Sequence, residues 1–431
     1  MTSRLAGLTI VLLLAVAGMT LGTACDPCAS CGGHHNQPPP PPPPPGACAG
    51  QGLIGLDPVN NVGYVPLNTT DMNGNAQVAV VNLAVGAPNP VIKTLALNVG
   101  GSQGTFPEAL AYNPANKTIL AESTLSGGGV GIFEIDTNTQ TVLHEVDATN
   151  LDEGRGGVLQ DFNHNRAFVA GLFTIGILDT SMSPPVWDKN SVVSIVCTDS
   201  LALNITTGLL FITCDGTNQI IDSTVLPLVP KSFQGGFGTS DGNAFDPSTN
   251  IMILGQEFVD ANTVFNFATL NTVAMPATAD NVNVPGLGTG GDEGEGQGMA
   301  AINCATHQGV LADEGGQNVR LIQLPTAPVP GPLDNNGQPG TNTTADAASA
   351  FTIATALLPL GPNSTTITMQ GDPNSASVDP AFNFYYAIGN GGEQQFLIRL
   401  DLSTPVLGGS PTGGPGGTTF WNPTVDYIPL P

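Results

Sequence analysis

A chain of 431 residues with 9 basic and 34 acidic side chains carries a formal charge of −25, and only 10% of its residues are charged. Phosphate binding needs clustered Lys and Arg, and this sequence has no such cluster, which excludes nucleic acid as a partner. Polarity comes instead from Asn, Thr, Ser, Gln and Gly; the acidic excess reads first as colloidal solubility, and second as a fit to calcium-rich surroundings.

In chain order, residues 1–24 come first as an export signal. Arg4 supplies one positive charge, Leu8 to Leu21 form an apolar run too short to span a bilayer comfortably, and Gly22-Thr23-Ala24 places small residues at a cleavage site. Gly, Pro, Asn and Thr interrupt every later hydrophobic run. Leu21-Gly22-Thr23-Ala24-Cys25 resembles the lipobox of bacterial lipoproteins, although Gly22 stands where that family usually has Leu. The resemblance implies that Cys25 becomes the mature amino terminus and carries lipid. Cysteine parity agrees: of seven Cys, lipidation of Cys25 leaves six that can pair. Ordinary cleavage before Cys25, with a free thiol or an intermolecular bridge, is the other reading. Either way the protein is expected outside the cytoplasm, lipid-anchored to a bacterial envelope or secreted. Loss of Arg4 leaves 8 basic against 34 acidic residues, or −26.

Residues 25–49 read as a tether. Cys25, Cys28 and Cys31 precede His34 and His35, and eight prolines run from Pro38 to Pro45. The prolines predict a polyproline II rod of roughly 25 Å, enough to lift a folded body off a surface. The Cys and His residues have the chemistry of a zinc or copper site, with disulfides or an irregular leader as the competing reading.

From residue 50 to 431 a sentence recurs: a short apolar strand, an Asn or Asp turn, a second apolar strand, a Gly-rich turn, and a third strand ending in Asp or Asn. Ala109-Leu-Ala-Tyr-Asn113-Pro114, then Thr118-Ile-Leu-Ala121, then Val130-Gly-Ile-Phe-Glu-Ile-Asp136 is one copy. Seven turns align at Asp57, Asn113, Asp161, Asn204, Asp246, Asn303 and Asp379, mostly forty to sixty residues apart. That period is one four-stranded sheet each. The long last interval contains a Pro-, Gly- and Asn-rich surface insertion near 325–345. The expected fold is all-β, a single β-propeller of about seven four-stranded blades, with a β-sandwich array or β-helix as the alternative.

Asn113-Pro114, Ile119-Leu120 and Val130 to Asp136 resemble the YVTN and NHL-like propeller repeats of secreted bacterial proteins. The resemblance extends over most of residues 50–430 and implies fold and export more than activity, because such propellers serve as binding platforms and as enzymes alike.

Cys197 and Cys214 flank the Asn204–Gly208 turn and predict a disulfide across a hairpin. Cys28, Cys31, Cys48 and Cys304 remain, with connectivity open. Five positions before each aligned turn stand Gly52, Glu108, Gly156, Asp199, Asp241, Gly298 and Asn374. Glu108, Asp199, Asp241 and Asn374 are thereby expected near one mouth of the central channel, where four oxygen donors suit calcium; acidic and amide residues also favour any turn before a strand. The set is similar to the channel calcium site of the regucalcin and gluconolactonase propellers, and that likeness implies a metal acting as Lewis acid on a lactone. No neighbouring motif of that family accompanies it. Asp152-Glu153-Gly154-Arg155 and Asp292 to Gly296 are acidic loops near the same mouth. His144 and His164 have no nucleophile partner, and neither Gly-x-Ser-x-Gly nor a phosphate loop is present.

The sequence thus predicts a lipid-tethered binding platform for a protein or glycan partner, touching the membrane through its anchor only. A calcium-dependent hydrolase of lactonase type is the alternative, and calcium is the one cofactor considered for the ring.

Overall fold

A computed structural model describes residues 54–431 except 153, 215–216, 235–238, 258–260, 286–298, 314, 333–351, 370–375, 380–381 and 404–422. The chain divides into residues 1–40 and 41–431; the signal, Cys25, Cys28, Cys31, Cys48 and the proline rod lie outside the described residues.

The described part of the second unit is almost entirely strand, with one 3₁₀ turn at Pro362–Ser364. Blade 1 is β1 (Gly55–Asp57), β2 (Val62–Thr70), β3 (Ala76–Asn82) and β4 (Val91–Ala96). A short β5 (Asn98–Val99) pairs with the start of blade 2, which is β6 (Ser102–Asn113), β7 (Thr118–Leu125), β8 (Val130–Asp136) and β9 (Thr141–Asp147). Blade 3 is β10 (Gly154–Asp161), β11 (Arg166–Gly171), β12 (Thr174–Asp179) and β13 (Val186–Ser194). Blade 4 follows as β14 (Ser200–Asn204), β15 (Leu209–Thr213), β16 (Asn218–Asp222) and β17 (Lys231–Phe233). Blade 5 is β18 (Thr239–Asp246), β19 (Ile251–Glu257), β20 (Ala261–Asn271) and β21 (Thr278–Pro285), and blade 6 is β22 (Met299–Asn303), β23 (Gln308–Ala312), β24 (Asn318–Gln323) and β25 (Thr352–Leu357). In blade 7, β26 (Thr368–Met369) and β27 (Ala376–Asp379) both pair with β28 (Phe384–Gly391), followed by β29 (Gln394–Asp401) and β30 (Val425–Pro429).

Every sheet is antiparallel, and apart from the β26–β28 pair its neighbouring strands follow one another in the chain. First strands pack in a circle: β1 on β6, then β10, β14, β18, β22, β27, and back to β1. The fold is therefore a closed seven-bladed β-propeller, and all seven aligned Asn or Asp residues end a first strand. The expected four-stranded unit holds in each blade, with β5 and β26 as additions. Of the expected insertion, residues 325–332 run without strand between β24 and β25, and the rest lies outside the described residues.

One local device repeats around the ring. Each of the seven turn residues is buried, and in six of them the side-chain oxygen accepts a turn amide, as Asp57 does from Val59 and Asn60, Asn204 from Thr206 and Thr207, and Asp246 from Ser248; Asp161 instead meets the side chains of His164 and Arg166. Four residues later the backbone is left-handed in every blade: Asn61, Lys117, Asn165, Gly208, Asn250, His307 and Asn383 all have φ between 49° and 71°. Asn and Gly tolerate that region best, which explains five of the seven. The carbonyl of each accepts from a third-strand amide, just past the strand at Leu83, Thr137, Thr180, Ser223, Leu324 and Leu402, and within β20 at Phe267. First and third strands of a blade are thereby locked at one end.

Side chains at this end also link each blade to the next. Tyr112 hydrogen-bonds Asp57, and burial followed by the Asp57 charge pushes its phenol up to about 12. Asn113 Nδ2 donates to Thr180 O at 3.2 Å, Arg166 Nη2 to Ser223 Oγ at 3.0 Å, and Asn204 Nδ2 to Asn250 Oδ1 at 2.7 Å. His307 Nδ1 lies 2.6 Å from Asp246 Oδ2, and Asn303 Nδ2 donates to Asn383 Oδ1 at 2.6 Å. Ser377 Oγ donates to Ile54 O and Arg399 Nη1 to Leu83 O, joining blade 7 to blade 1.

Packing near the axis is asymmetric. Two positions before each turn stand Gly55, Ala111, Leu159, Ala202, Ala244, Ala301 and Ser377, small in six of seven blades, while the next position is Leu56, Tyr112, Gln160, Leu203, Phe245, Ile302 and Val378. The small side packs on the following blade: Ala202 shares a core with Phe245, and Ala301 with Val378. Converging sheets leave room for bulk on one face only. At Gly55 a Cβ would stand 3.0 Å from Ile119 Cδ1 and 3.3 Å from Leu110 Cβ, both in blade 2. Gly55→Val is expected to cost about 1–3 kcal/mol by overpacking, read as a lower urea midpoint with unchanged slope; an unchanged midpoint would show that blades 1 and 2 are not closely seated.

Candidate functional site: the channel mouth

First-to-second and third-to-fourth turns share one end of the ring, so the starts of the first strands and the second-to-third turns share the other, the mouth. Glu108 and Asp241 were expected where the chain enters its innermost strand. Both instead lie inside β6 and β18, at irregularities in the ladder. Pro107 pairs with Ser123 and Ala109 with Glu122, leaving Glu108 as an extra residue; the register also shifts between Ser240 and Asn243. Gly156 sits at the same shift in β10, between Gly154 and Gly157. Bulges re-aim side chains and gather near binding sites. The position five before the turn is thus a repeated bulge in blades 2, 3 and 5.

Asp199 precedes β14, is half-buried, and donates its backbone N–H to Thr213 O at 3.0 Å. Asn374 and the side chains of Glu108 and Asp241 lie outside the described residues, as does the Asp292–Gly296 loop. Asp152, expected in an acidic mouth loop, caps its own blade: Oδ2 accepts from Phe173 N at 2.7 Å, and Oδ1 from Thr174 Oγ1. His164 Nδ1 lies 2.8 Å from Asp161 Oδ2, at the opposite end of the ring. His144 faces Glu134 across β8 and β9. Among the described residues no three His, Cys, Asp or Glu side chains converge on a metal position.

Sequence reasoning missed a belt of buried polar residues toward the mouth: Glu122 and Ser123 in blade 2, Thr213 and Asn218 in blade 4, Asn262 and Thr263 in blade 5, and Asp313 in blade 6. Glu122 is fully buried opposite Ala109, where the matching second-strand positions are Ala170, Thr213 and Ala312. A visible signal existed, since Ala121-Glu122-Ser123-Thr124 breaks an apolar strand. Buried polar groups of this kind are retained where hydrogen bonding is directional and specific.

Cys197 and Cys214 form the expected disulfide, with Cα atoms 5.3 Å apart. They stand just beyond β14 and β15, so the bridge closes the hairpin's mouth end rather than spanning its strands. Cys304 is disulfide-bonded as well.

Comparison with solved structures finds similarity to the hydrazine synthase of Kuenenia stuttgartiensis, at 13% identity over 79% of this chain and 92% of that one, with a TM-score of 0.52. U3-55K is similar at 10% identity over 79% of this chain and 89% of its own, also with a TM-score of 0.52. No family model and no curated protein matches the chain. The shared feature is the fold alone. A propeller supports a binding or interaction platform in general terms, and the chemistry of its ligand lies in the site.

Proposed function

We propose that the chain is an exported β-propeller, tethered to a bacterial envelope through lipid on Cys25, that receives a protein or glycan partner at its channel mouth. The observation that carries this reading is the difference between the two ends of the ring. One end is closed by seven near-identical four-residue turns whose side chains are committed to neighbouring blades. The other gathers the bulges, the connections from one blade to the next and the buried polar belt. A mouth built around polar rather than apolar residues suits a glycan or a polar protein loop over an apolar ligand.

A second reading, calcium-dependent lactone hydrolysis, draws on the bulges at Glu108 and Asp241. With Asp199 and Asn374 they supply oxygen donors of the type calcium takes, and a bound calcium would supply Lewis-acid chemistry. Calcium content of the purified protein, with and without Asp199→Ala and Asp241→Ala, separates the two. Under the platform reading the content is the same in all three proteins. A stoichiometric calcium lost from both variants would transfer the site to the hydrolase. Mass spectrometry of the amino-terminal peptide tests the anchor, and an unmodified Cys25 rejects it.

A further inference from the structure

Three consecutive blades carry the same kind of tip at the end of the ring opposite the mouth. Between third and fourth strands, blade 3 reads Asp179-Thr-Ser-Met-Ser-Pro184, blade 4 Asp222-Ser-Thr-Val-Leu-Pro227 and blade 5 Asn271-Thr-Val-Ala-Met-Pro276, each with proline five residues after an Asp or Asn. Residues 180–187, 223–230 and 272–279 contain no charge. Apolar side chains on all three stand in solvent, while Leu228 and Ala277 are buried: Met275 is 97% exposed, Val273 89% and Leu226 62%, with Met182, Val225 and Val229 also exposed. Blade 2 presents polar Thr137-Asn138-Thr139-Gln140 at the same place.

These tips are held rather than loose. Asp179 Oδ1 accepts from Ser181 N at 2.9 Å, Asp222 Oδ1 from Thr224 N at 3.0 Å, and Asn271 Oδ1 from Val273 N at 3.0 Å. Blade 5's tip is tied to blade 4, because Ala277 N donates to Ser232 O and Gln234 N to Ala277 O. With amides satisfied internally and prolines lacking a donor, moving the tips out of water leaves few unpaired backbone groups.

We propose that the rim formed by the tips of blades 3, 4 and 5 is a docking surface for a lipid bilayer. The inference rests on the tethered reading of the amino terminus. Cys25 to Leu53 is 29 residues, a contour of up to roughly 95 Å at about 3.3 Å per residue before any bridge to Cys304 shortens it. Tethering to the bilayer keeps the apolar surface at high effective concentration. A set of uncharged apolar points on one rim fits a flat, uniform apolar phase, with binding that scales with the apolar area inserted. A second copy is disfavoured by charge, since bodies of −26 repel one another. The same charge selects zwitterionic over anionic lipid.

The test uses the full chain carrying Cys25→Ser, which cannot take lipid, in flotation with phosphatidylcholine and phosphatidylethanolamine vesicles, and with the same vesicles containing phosphatidylglycerol. The expected result is flotation with the neutral vesicles and less with the anionic ones. Leu226→Asp and Met275→Asp each lower the bound fraction roughly tenfold or more, and Asn138→Asp leaves it unchanged. Absence of flotation with neutral vesicles overturns the proposal without reference to any variant. Equal flotation of the tip variants overturns it, and so does a dimer in sedimentation that those variants dissolve. Lipid found on native Cys25 together with no flotation removes the docking surface and keeps the tether; flotation with an unmodified native Cys25 does the reverse.

Discussion

Arg399→Ala is expected to lower the unfolding free energy by about 2–4 kcal/mol, among the largest effects of any single substitution in this ring. Each blade is made of consecutive strands, and among the described residues the first and last sheets share no backbone ladder. Side chains close the circle. The buried Arg399 guanidinium donates through Nη1 to Leu83 O at 2.6 Å in blade 1, through Nε to Asp426 Oδ2 at 3.1 Å within blade 7, and lies 5.1 Å over the ring of Phe384. Alanine leaves a cavity and an unpaired buried carbonyl. Arg399→Lys retains charge but cannot reach both acceptors from one planar group, and an intermediate loss is expected. Urea unfolding measures the midpoint, and hydrogen exchange locates the change. Amides of β1, β2, β28 and β29 should lose protection first. A loss below about 1 kcal/mol, or loss of protection elsewhere in the ring, would show that another contact closes it.

Phe211→Ala carries a similar expectation, about 3–5 kcal/mol. Phe211 is fully buried in blade 4, edge-on to Phe233 at 5.3 Å and to Phe267 at 5.9 Å, while Phe233 meets Phe265 at 5.4 Å and Phe245 meets Phe267 at 5.0 Å. Blades 4 and 5 share this aromatic cluster, and Ala277 of blade 5 bridges to Phe233 beside it. Removing one ring forfeits its burial and about 0.5–1.5 kcal/mol for each aromatic pair, with little scope for collapse between two sheets. Phe173, half-exposed in a blade 3 turn, serves as control, and Phe173→Ala is expected to cost less than about 1 kcal/mol. Equal midpoints for the two variants would mean that the cluster does not couple the blades.

Neither effect was visible in the sequence, although both residues sit in strands whose existence was. Phe211 follows Leu209 and Leu210 in an apolar run, which marks a buried strand, but nothing in that run names the partners in the adjacent blade. Arg399 is a lone cation in Phe396-Leu-Ile-Arg-Leu, and its contact with Leu83 spans 316 positions. A contact of that length depends on how the ring closes.

The channel mouth divides the same way. Asp199 stands where spacing put it, before β14, whereas Glu108 and Asp241 occupy bulges because an extra residue is inserted in those strands. A count of residues from a turn assumes an unbroken ladder, and a bulge breaks that assumption without leaving a composition signal. Glu122 interrupts an apolar strand, and nothing local to it says whether such a side chain is buried or solvated.

Local chemistry, present in the chain itself, accounts for the blades: an Asn or Asp at each turn, a residue able to turn left-handed four places on, and apolar strands of matching length make seven similar sheets wherever they fold. It also accounts for the Cys197–Cys214 bridge, whose partners lie close along the chain. Closure of those sheets into one ring, the bulges at the mouth, and the alignment of three apolar tips on a single rim were decided by packing between blades. Such contacts join residues far apart in the chain, and their energy comes from burying one sheet's face on another, which no window of sequence contains.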